Sequence, residues 1–428
     1  MTALVDVECQ PRYELGSSKA WMVCFSAALF FFYEFIQMHM FNAINNELRV
    51  AFSANAKQLS FLSSTYLWAD LLFLLPAGIL LDRVSTRKII LLAMAICIVG
   101  TLGFAVSYSF GLAAFFHFLS GIGNAFCFLS CIMLVSRWFP AHRQALVIGL
   151  VVTMAFLGGM AAQTPLVWLS SHFGWRQALM LDTLLGLFIM VLIFSQVIDQ
   201  PKGEFKRQEN AIPFLAGLKS VLKNKQNWLP GIYTWLLNLP IMVLCALWGI
   251  VYLEKVHHLT SYQASEITSM IFIGSIIGAP LAGFISDSLR LRKLPMVTGI
   301  VATLVCFLVI MNGSHLSYNS LMVLFWCIGF FSSTQVIAYP MVAESNPAEL
   351  TGTATGLASL LIMGGAAAGQ LLFGHLLDYH WSGSVMEGAV RVYSAQNYQF
   401  AMKMFPVACI IGLIAILLAR ETYCHKQR

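Results

Sequence analysis

Apolar and polar positions alternate along this chain in long blocks. Twelve stretches of predominantly apolar residues lie near 20–42, 59–81, 89–107, 111–135, 146–169, 178–197, 229–252, 265–286, 294–311, 319–340, 352–377 and 400–419. At ~1.5 Å per residue, each is long enough to cross a ~30 Å hydrocarbon core. None alternates with the period of two that a barrel strand requires, so the pattern predicts membrane-spanning helices. The longest polar interruption, "DQPKGEFKRQENAIPFLAGLKSVLKNKQN" at 199–227, separates six stretches from six. The expected organisation is an N-terminal six-helix bundle over 1–198, a linker over 199–228 and a second bundle over 229–428. Within the linker, "IPFLAGLKSVLKN" predicts a short amphipathic helix.

Composition excludes a water-soluble globule. Apolar residues are 59% and charged residues 10% of the 428, against roughly 25% charged in a soluble domain. Asp6, Glu8, Arg12 and Glu14 interrupt the first 18 residues, so no cleaved leader is expected. Cys24, Cys97, Cys127, Cys131, Cys245, Cys306, Cys327 and Cys409 fall inside apolar stretches and are expected to be buried thiols. Cys127 and Cys131 share a helix face, but no second ligand pair is spaced to complete a metal site.

The net charge of +6 has a particular distribution. With the N-terminus cytoplasmic, the cytoplasmic segments hold 19 Lys and Arg and the opposite face five: Arg49, Lys57, Arg176, Lys255 and Arg391. That asymmetry sets both termini inside and makes anionic lipid headgroups, rather than nucleic acid, the expected partners. A monomer in a bacterial inner (cytoplasmic) membrane is expected. No nucleophile with its base and no nucleotide-binding loop is present: the reading is not an enzyme, with no cofactor and a proton gradient as energy source.

The two halves repeat one another. "GILLDRVSTRK" (78–88) and "GFISDSLRLRK" (283–293) share Gly78/Gly283, Asp82/Asp287, Arg87/Arg292 and Lys88/Lys293, each pair 205 residues apart. "FPAHRQALVIGL" (139–150) aligns with "NPAELTGTATGL" (346–357), a register that also pairs Gly158 with Gly365 and Gln163 with Gln370.

On these residues the chain resembles the major facilitator superfamily of secondary transporters. "GILLDRVSTRK" is similar to that family's loop between helices 2 and 3, and 283–293 to its second copy. "HFLSGIG" (117–123) resembles the helix 4 motif, with His117 where arginine is usual. "RWFPAHR" and the downstream "FGWRQA" resemble the central pattern of the first half. Helix 5 lacks the glycine and proline pattern of antiporters. The resemblance implies a twelve-helix fold in two pseudo-symmetric bundles that rock about a central site. It also implies a cytoplasmic gate at Gly78, Asp82, Arg83, Arg87, Gly283, Asp287 and Arg292. There Asp82 would meet an arginine or a helix N-terminus of the other half, and Gly78 would permit close helix approach.

Polar groups inside a bilayer are costly and mark function by default. Glu34, in "FFYEFIQMHMF", and Asp70, in "TYLWADLLFLLP", are the proton-carrier candidates, and His117 can pair with either. In the family, helices 1, 4, 7 and 10 line the cavity, with contributions from 2, 5, 8 and 11. The solute-binding candidates on them are Gln37, Asn124, Gln163, Tyr233, Trp235, Asn238, Gln335, Tyr339 and Gln370. The twinned Gln163 and Gln370 are expected to face each other across the cavity. Glu266, Asp182 and Lys403 read as structural. With carboxylates, amides and aromatics but no central Lys or Arg, a polyanion is disfavoured. A small polar nutrient of the amino-acid or short-peptide type, taken up with protons, fits best. The alternatives are efflux of cationic or lipophilic compounds, with Trp235 and Trp248 as aromatic partners, and a non-transporting nutrient sensor.

Overall fold

A computed structural model of the chain describes residues 15–199, 214–313, 316–347, 350–381, 386–387 and 390–424. Among these, the helical runs that carry the fold are α1 Ser18–Ala43, α2 Ala56–Arg83, α3 Thr86–Val106, α4 Phe110–Trp138, α5 over 141–173 and α6 Trp175–Gln196. They continue with α7 Lys225–His257, α8 Ser261–Leu289, α9 Lys293–Asn312, α10 Tyr318–Glu344, α11 Thr351–Tyr379 and α12 Ala395–Leu418. By length and composition eleven of them can cross a membrane, and α2, at 28 residues, has the same reach. The expected twelve-helix fold is observed.

Helices begin where the sequence supplies caps. Asn55 and Gln58 form a capping box at the start of α2, and 205 residues later Thr260 and Gln263 form another at the start of α8. The repeat therefore extends to the turns that lead into these helices. At the other membrane face, the carboxylate of Asp199 accepts the Arg87 backbone N–H at 2.8 Å at the start of α3. Glu421 accepts the backbone N–H groups of Arg292 and Lys293, both at 2.8 Å, at the start of α9. Each half thus ends by placing an acid on the positive end of its own third helix.

Four helices depart from regular geometry, α12 by a break at Lys403 between Met402 and Met404. Between Ala161 and Thr164 α5 breaks, with Pro165 in the first turn of its second piece. A wide π-helical stretch occupies Pro240–Trp248 of α7, starting at a proline that has no N–H to donate. In α10, Ser333–Ile337 tightens to a 3-10 turn.

The halves meet along α2 with α11, α5 with α8, and α1 with α7. The linker helix Phe214–Lys223 packs on α7 and α11, its Val221 against Val342, Ala354 and Leu357. Large apolar side chains such as Leu72, Leu92, Phe188, Phe284 and Leu418 project outward, as a lipid-facing perimeter requires. The end of the molecule that carries Ser18 and the linker helix is called the linker end below, and the opposite end the far end.

Candidate transport pathway

At the far end the two halves are joined through α7. Its wide turn presents the carbonyls of Met242, Cys245 and Leu247, which accept side-chain amides from Gln370 (2.8 Å), Gln163 (2.9 Å) and Asn45 (2.6 Å). Asn42 donates to Gln163 Oε1 at 2.7 Å and accepts the Ile250 backbone N–H at 3.0 Å. Thr268 donates to the same Gln163 oxygen at 3.0 Å. Gln163, Asn42 and Asn45 belong to the first half, and their partners on α7 and α8 to the second. Each amide is a short polar side chain that satisfies another helix's backbone where water is excluded. Trp248, fully buried, donates its indole N–H to Ser60 of α2 at 3.3 Å. Beyond this clamp lies a small cavity of about 110 Å³ lined in part by Asn45, Glu47, Glu254 and Ser261.

This arrangement corrects two expectations. Gln163 and Gln370 do not face one another across an open cavity. Both hold α7, and only Gln163 does so from the opposite half. Trp248 belongs to the seal rather than to a solute surface.

A second layer caps the clamp. The Asp378 carboxylate accepts the Lys57 backbone N–H at the start of α2 (3.0 Å), the Arg391 guanidinium (3.0 Å) and the Tyr393 hydroxyl. Tyr393 in turn accepts the Ala56 backbone N–H at 2.9 Å, and Arg49 donates to the Arg391 carbonyl while lying over the Tyr393 ring. Burial, foremost, pushes the Tyr393 hydroxyl above its ordinary pKa, so it stays a donor to Asp378 at all working pH values.

Closure reaches from the far end to mid-depth and stops there. A Cβ on Gly374 would lie 2.3 Å from Ser60, one on Gly159 2.5 Å from Phe272, and one on Gly364 3.6 Å from Leu71. Nearer the linker end, a Cβ on Gly78, Gly149, Gly283, Gly352 or Gly356 would meet nothing within 4 Å. The seam at Gly78 is therefore open here rather than tightly packed. Asp287 and Glu344 both pair with Arg292, each at 2.6 Å, so that expected gate contact lies within the second half. Burial lowers the Arg292 pKa, but the hydrogen bonds it donates to Glu344 and Asp287 outweigh that and raise it, so it remains charged. Arg87 turns into the first half, donating to the Phe194 carbonyl at 2.6 Å. Lys293 donates to the Leu417 carbonyl at 2.9 Å. The side chains of Asp82 and Arg83 lie outside the described residues.

The membrane-embedded acids lie inside the first half. Glu34 is fully buried and accepts the Tyr66 hydroxyl at 2.6 Å; its carboxyl covers the Cα of Gly123 on α4. Gln37 donates to Asp182 of α6 at 2.5 Å and accepts the Thr101 hydroxyl at 2.9 Å. Asp182 therefore joins the polar core with Gln37 instead of standing alone near a helix end, and Gln37 does not face the gap. Asp70, also buried, is hydrogen-bonded by Asn124. His117 pairs with neither acid. It is bonded to the Ser63 backbone and enclosed by the rings of Phe41, Tyr66 and Phe104. Its link to Glu34 runs only through Tyr66.

In the second half, Gln335 donates to Asn238 at 3.2 Å, joining α10 to α7. Tyr339 lies within 3.3 Å of Ser359. Trp235 is partly exposed against Gly365, and its indole nitrogen has no partner among the described residues. Tyr233 is corrected: its hydroxyl donates to the Met296 carbonyl at 2.8 Å and contacts Thr334, buried between helices of its own half. Glu266 accepts the Tyr318 hydroxyl at 2.7 Å and Lys403 lies over the Phe400 ring.

Sequence reasoning missed His39. Phe31, Phe35 and His39 recur every four residues on α1 and continue into Phe128, Phe156 and Phe272 as a run of touching rings. His39 sits within this run between Phe35 and Phe272, one turn before Asn42 of the clamp. Asn42 and Asn45 were missed as well, since an amide cluster at the end of an apolar stretch reads as the start of a loop.

Two apposed helical bundles, closed at one end and open at the other around a polar seam, define a membrane carrier. The chain belongs to the Major Facilitator Superfamily, whose family model matches residues 23–272 and 241–426; it is a secondary transporter and not an enzyme. It is 24% identical over 404 residues to a D-galactonate transporter of Escherichia coli O6:H1, a match covering 86% of this chain and 87% of that one. It is 23% identical over 338 residues to the probable galactarate/D-glucarate transporter GudP of Bacillus subtilis, covering 70% and 72%. Among solved structures, a bacterial homolog of the human lysosomal transporter Spinster, inward-facing and unoccupied, superposes with a TM-score of 0.78. That likeness, at 16% identity over 94% of this chain and 98% of that one, concerns the fold alone.

Proposed function

We propose that this chain takes up a small, singly charged polyhydroxylated acid together with a proton, by alternating access. The observation that carries the reading is a set of neutral groups buried beside the seal: paired amides at Asn238 and Gln335, a run of aromatic rings, and one histidine. Amides that both donate and accept suit hydroxyl groups, and ring faces suit the C–H faces of a sugar-like chain. No lysine or arginine occurs at mid-depth on the helices that meet at the gap, which weighs against a dianion. D-galactonate, in the first relative's name, is a singly charged acid of this class, whereas galactarate and D-glucarate, in the second's, are polyhydroxylated acids with two carboxylates.

The amino-acid, peptide and lipophilic-cation readings rely on Glu34 or Asp70 meeting an ammonium or other cation. Both carboxyls are bonded within the first half, to Tyr66 and Asn124, and the relatives reported above carry other names. Buried without a lysine or arginine partner, Glu34, Asp70 and Asp182 remain groups suited to holding protons.

The excess of Lys and Arg at the linker end supports a cytoplasmic location for that end and for both termini. In that orientation the state described is open to the cytoplasm. The test is uptake of radiolabelled D-galactonate by proteoliposomes, beside D-glucarate, D-galactose, L-alanine and dialanine. Preferential D-galactonate uptake is expected. Uptake of alanine or dialanine but not D-galactonate would overturn the proposal.

A further inference from the structure

His39 is fully buried on α1, between Phe35 of its own helix and Phe272 of α8 in the other half, with ring centroids 5.3 and 5.1 Å away. Its Nδ1 lies 2.8 Å from the Phe35 carbonyl oxygen. A carbonyl only accepts, so Nδ1 carries the proton and donates it. In the neutral ring the other nitrogen, Nε2, is then a bare acceptor. It has no hydrogen-bond partner among the described residues.

The titratable groups on neighbouring elements face other partners, and Glu34 Oε1 and His117 Nδ1 share with His39 Nε2 the lack of a hydrogen-bond partner among the described residues. Asp70 of α2 bonds Asn124, His117 of α4 the Ser63 backbone, and Asp182 of α6 Gln37. The Cys245 thiol of α7 faces the Thr268 carbonyl, while Glu254 bonds Asn46 and Ser261. Glu266 of α8 bonds Tyr318, and Arg143 and His172 stand toward the two ends of α5. On α1 itself, Glu34 turns to Tyr66.

We propose that His39 is the group that receives the solute's carboxylate, and that it does so only with a proton, so that one proton enters with each monocarboxylate. The inference rests on the polyhydroxylated-acid reading above and deepens it. A carboxylate oxygen brings only lone pairs and cannot bond a bare Nε2. When a proton from solution adds to Nε2, the imidazolium offers an N–H and a positive charge, and the N–H···O bond forms without net charge in the seam. When the anion leaves, Nε2 returns its proton to water and the ring regains its neutral form, with Nδ1 still bonded to Phe35. A neutral sugar can use the bare nitrogen as an acceptor for a hydroxyl and needs no proton. His39 also precedes Asn42 by one helical turn, so an anion held there bears on the residue that bonds Gln163 and Ile250. Phe272 covers the ring from the opposite half, so access to it changes as α8 moves against α1.

The test counts protons. Purified protein in weak buffer with a pH-indicator dye receives D-galactonate or D-galactose, and binding is measured in parallel. Wild type is expected to take up one proton per D-galactonate bound and none with D-galactose. His39→Gln is expected to take up at least tenfold fewer protons per anion. Undiminished proton uptake by His39→Gln overturns the inference and leaves the solute reading standing. If wild type binds D-galactonate without taking up protons, the inference also fails and the anion reading stands. If wild type binds no D-galactonate, the solute reading falls and takes the inference with it. Should His39→Gln not fold, 15N-histidine NMR of wild type decides. One histidine is expected to pass from a bare to a protonated Nε2 with D-galactonate, and no change in any histidine overturns the inference.

Discussion

Gln163 of α5 donates its side-chain amide to the Cys245 carbonyl of α7 at 2.9 Å, while its oxygen receives Asn42 and Thr268. One side chain thus ties α1 and α5 of the first half to α7 and α8 of the second. The far end joins its halves both by apolar packing and by these amide hydrogen bonds, and the amides are the part of the seal that water can replace on opening.

Gln163→Ala is expected to loosen the far end. It leaves the Cys245 carbonyl without its amide and the Asn42 amide without its acceptor, while Thr268 keeps the Ser265 carbonyl, at a cost of about 1–3 kcal/mol for buried groups. The native Cys245 thiol, fully buried, reports on it. Alkylation by a membrane-impermeant maleimide applied from the far side, located by mass spectrometry, is expected to rise about tenfold. An unchanged rate would show that the clamp does not control closure.

Glycines at mid-depth and at the linker end should respond differently to a side chain. A Cβ on Gly158 would lie 2.0 Å from the Phe32 carbonyl oxygen, so Gly158→Val is expected to cost several kcal/mol and to fail in folding. A Cβ on Gly149 meets nothing within 4 Å. Gly149→Val should preserve thermal stability in this state to within about 1 kcal/mol. Transport by that variant should fall at least tenfold, because the linker end can no longer close. Thermal melting and proteoliposome flux on the same preparations separate the two effects.

The acids that cap α3 and α9 are expected to support each half equally. Asp199→Asn or Glu421→Gln removes a charge from a helix N-terminus and weakens its bonds there, at about 0.5–2 kcal/mol each. Losses in melting temperature that add in the double variant are expected, since the two sites belong to different halves. A far larger loss from one variant would contradict the equivalence of the repeats.

At the far surface, burial first and then the charge of Glu254 raise the Glu47 carboxyl above its ordinary 4.5. The closed structure therefore binds a proton more readily than an exposed carboxyl does. Its stabilising contribution is fully present below pH 4.5 and declines as pH rises through the raised value. Far-side alkylation of Cys245 should increase over that interval, and Glu47→Gln should flatten the dependence.

The twelve helices were legible because lipid leaves the backbone few alternatives, and the repeat was legible because it keeps glycine and charge at fixed offsets. Facing was not. A helix such as α1 is apolar around its whole circumference, so periodicity cannot separate the face turned toward Tyr66 and Asp182 from the one turned toward Phe272. Glu34 and Gln37 were accordingly expected in the gap, although they lie inside the first half. Tyr233 and Trp235, two residues apart, point to different surroundings for the same reason. His39 was hidden between two methionines. Pro240 was the one sequence signal for the widened turn of α7, since a proline inside a spanning helix removes a backbone donor that neighbouring groups must compensate.

Accumulation against a gradient tests the central claim most directly. Proteoliposomes holding the wild-type chain are given an inward proton gradient of one pH unit at zero membrane potential, and internal radiolabelled D-galactonate is measured at steady state. One proton entering with each monoanion predicts about tenfold accumulation, since one pH unit is worth about 1.4 kcal/mol. Equal concentrations inside and outside, reached at the same rate with and without the gradient, would contradict proton-coupled uptake.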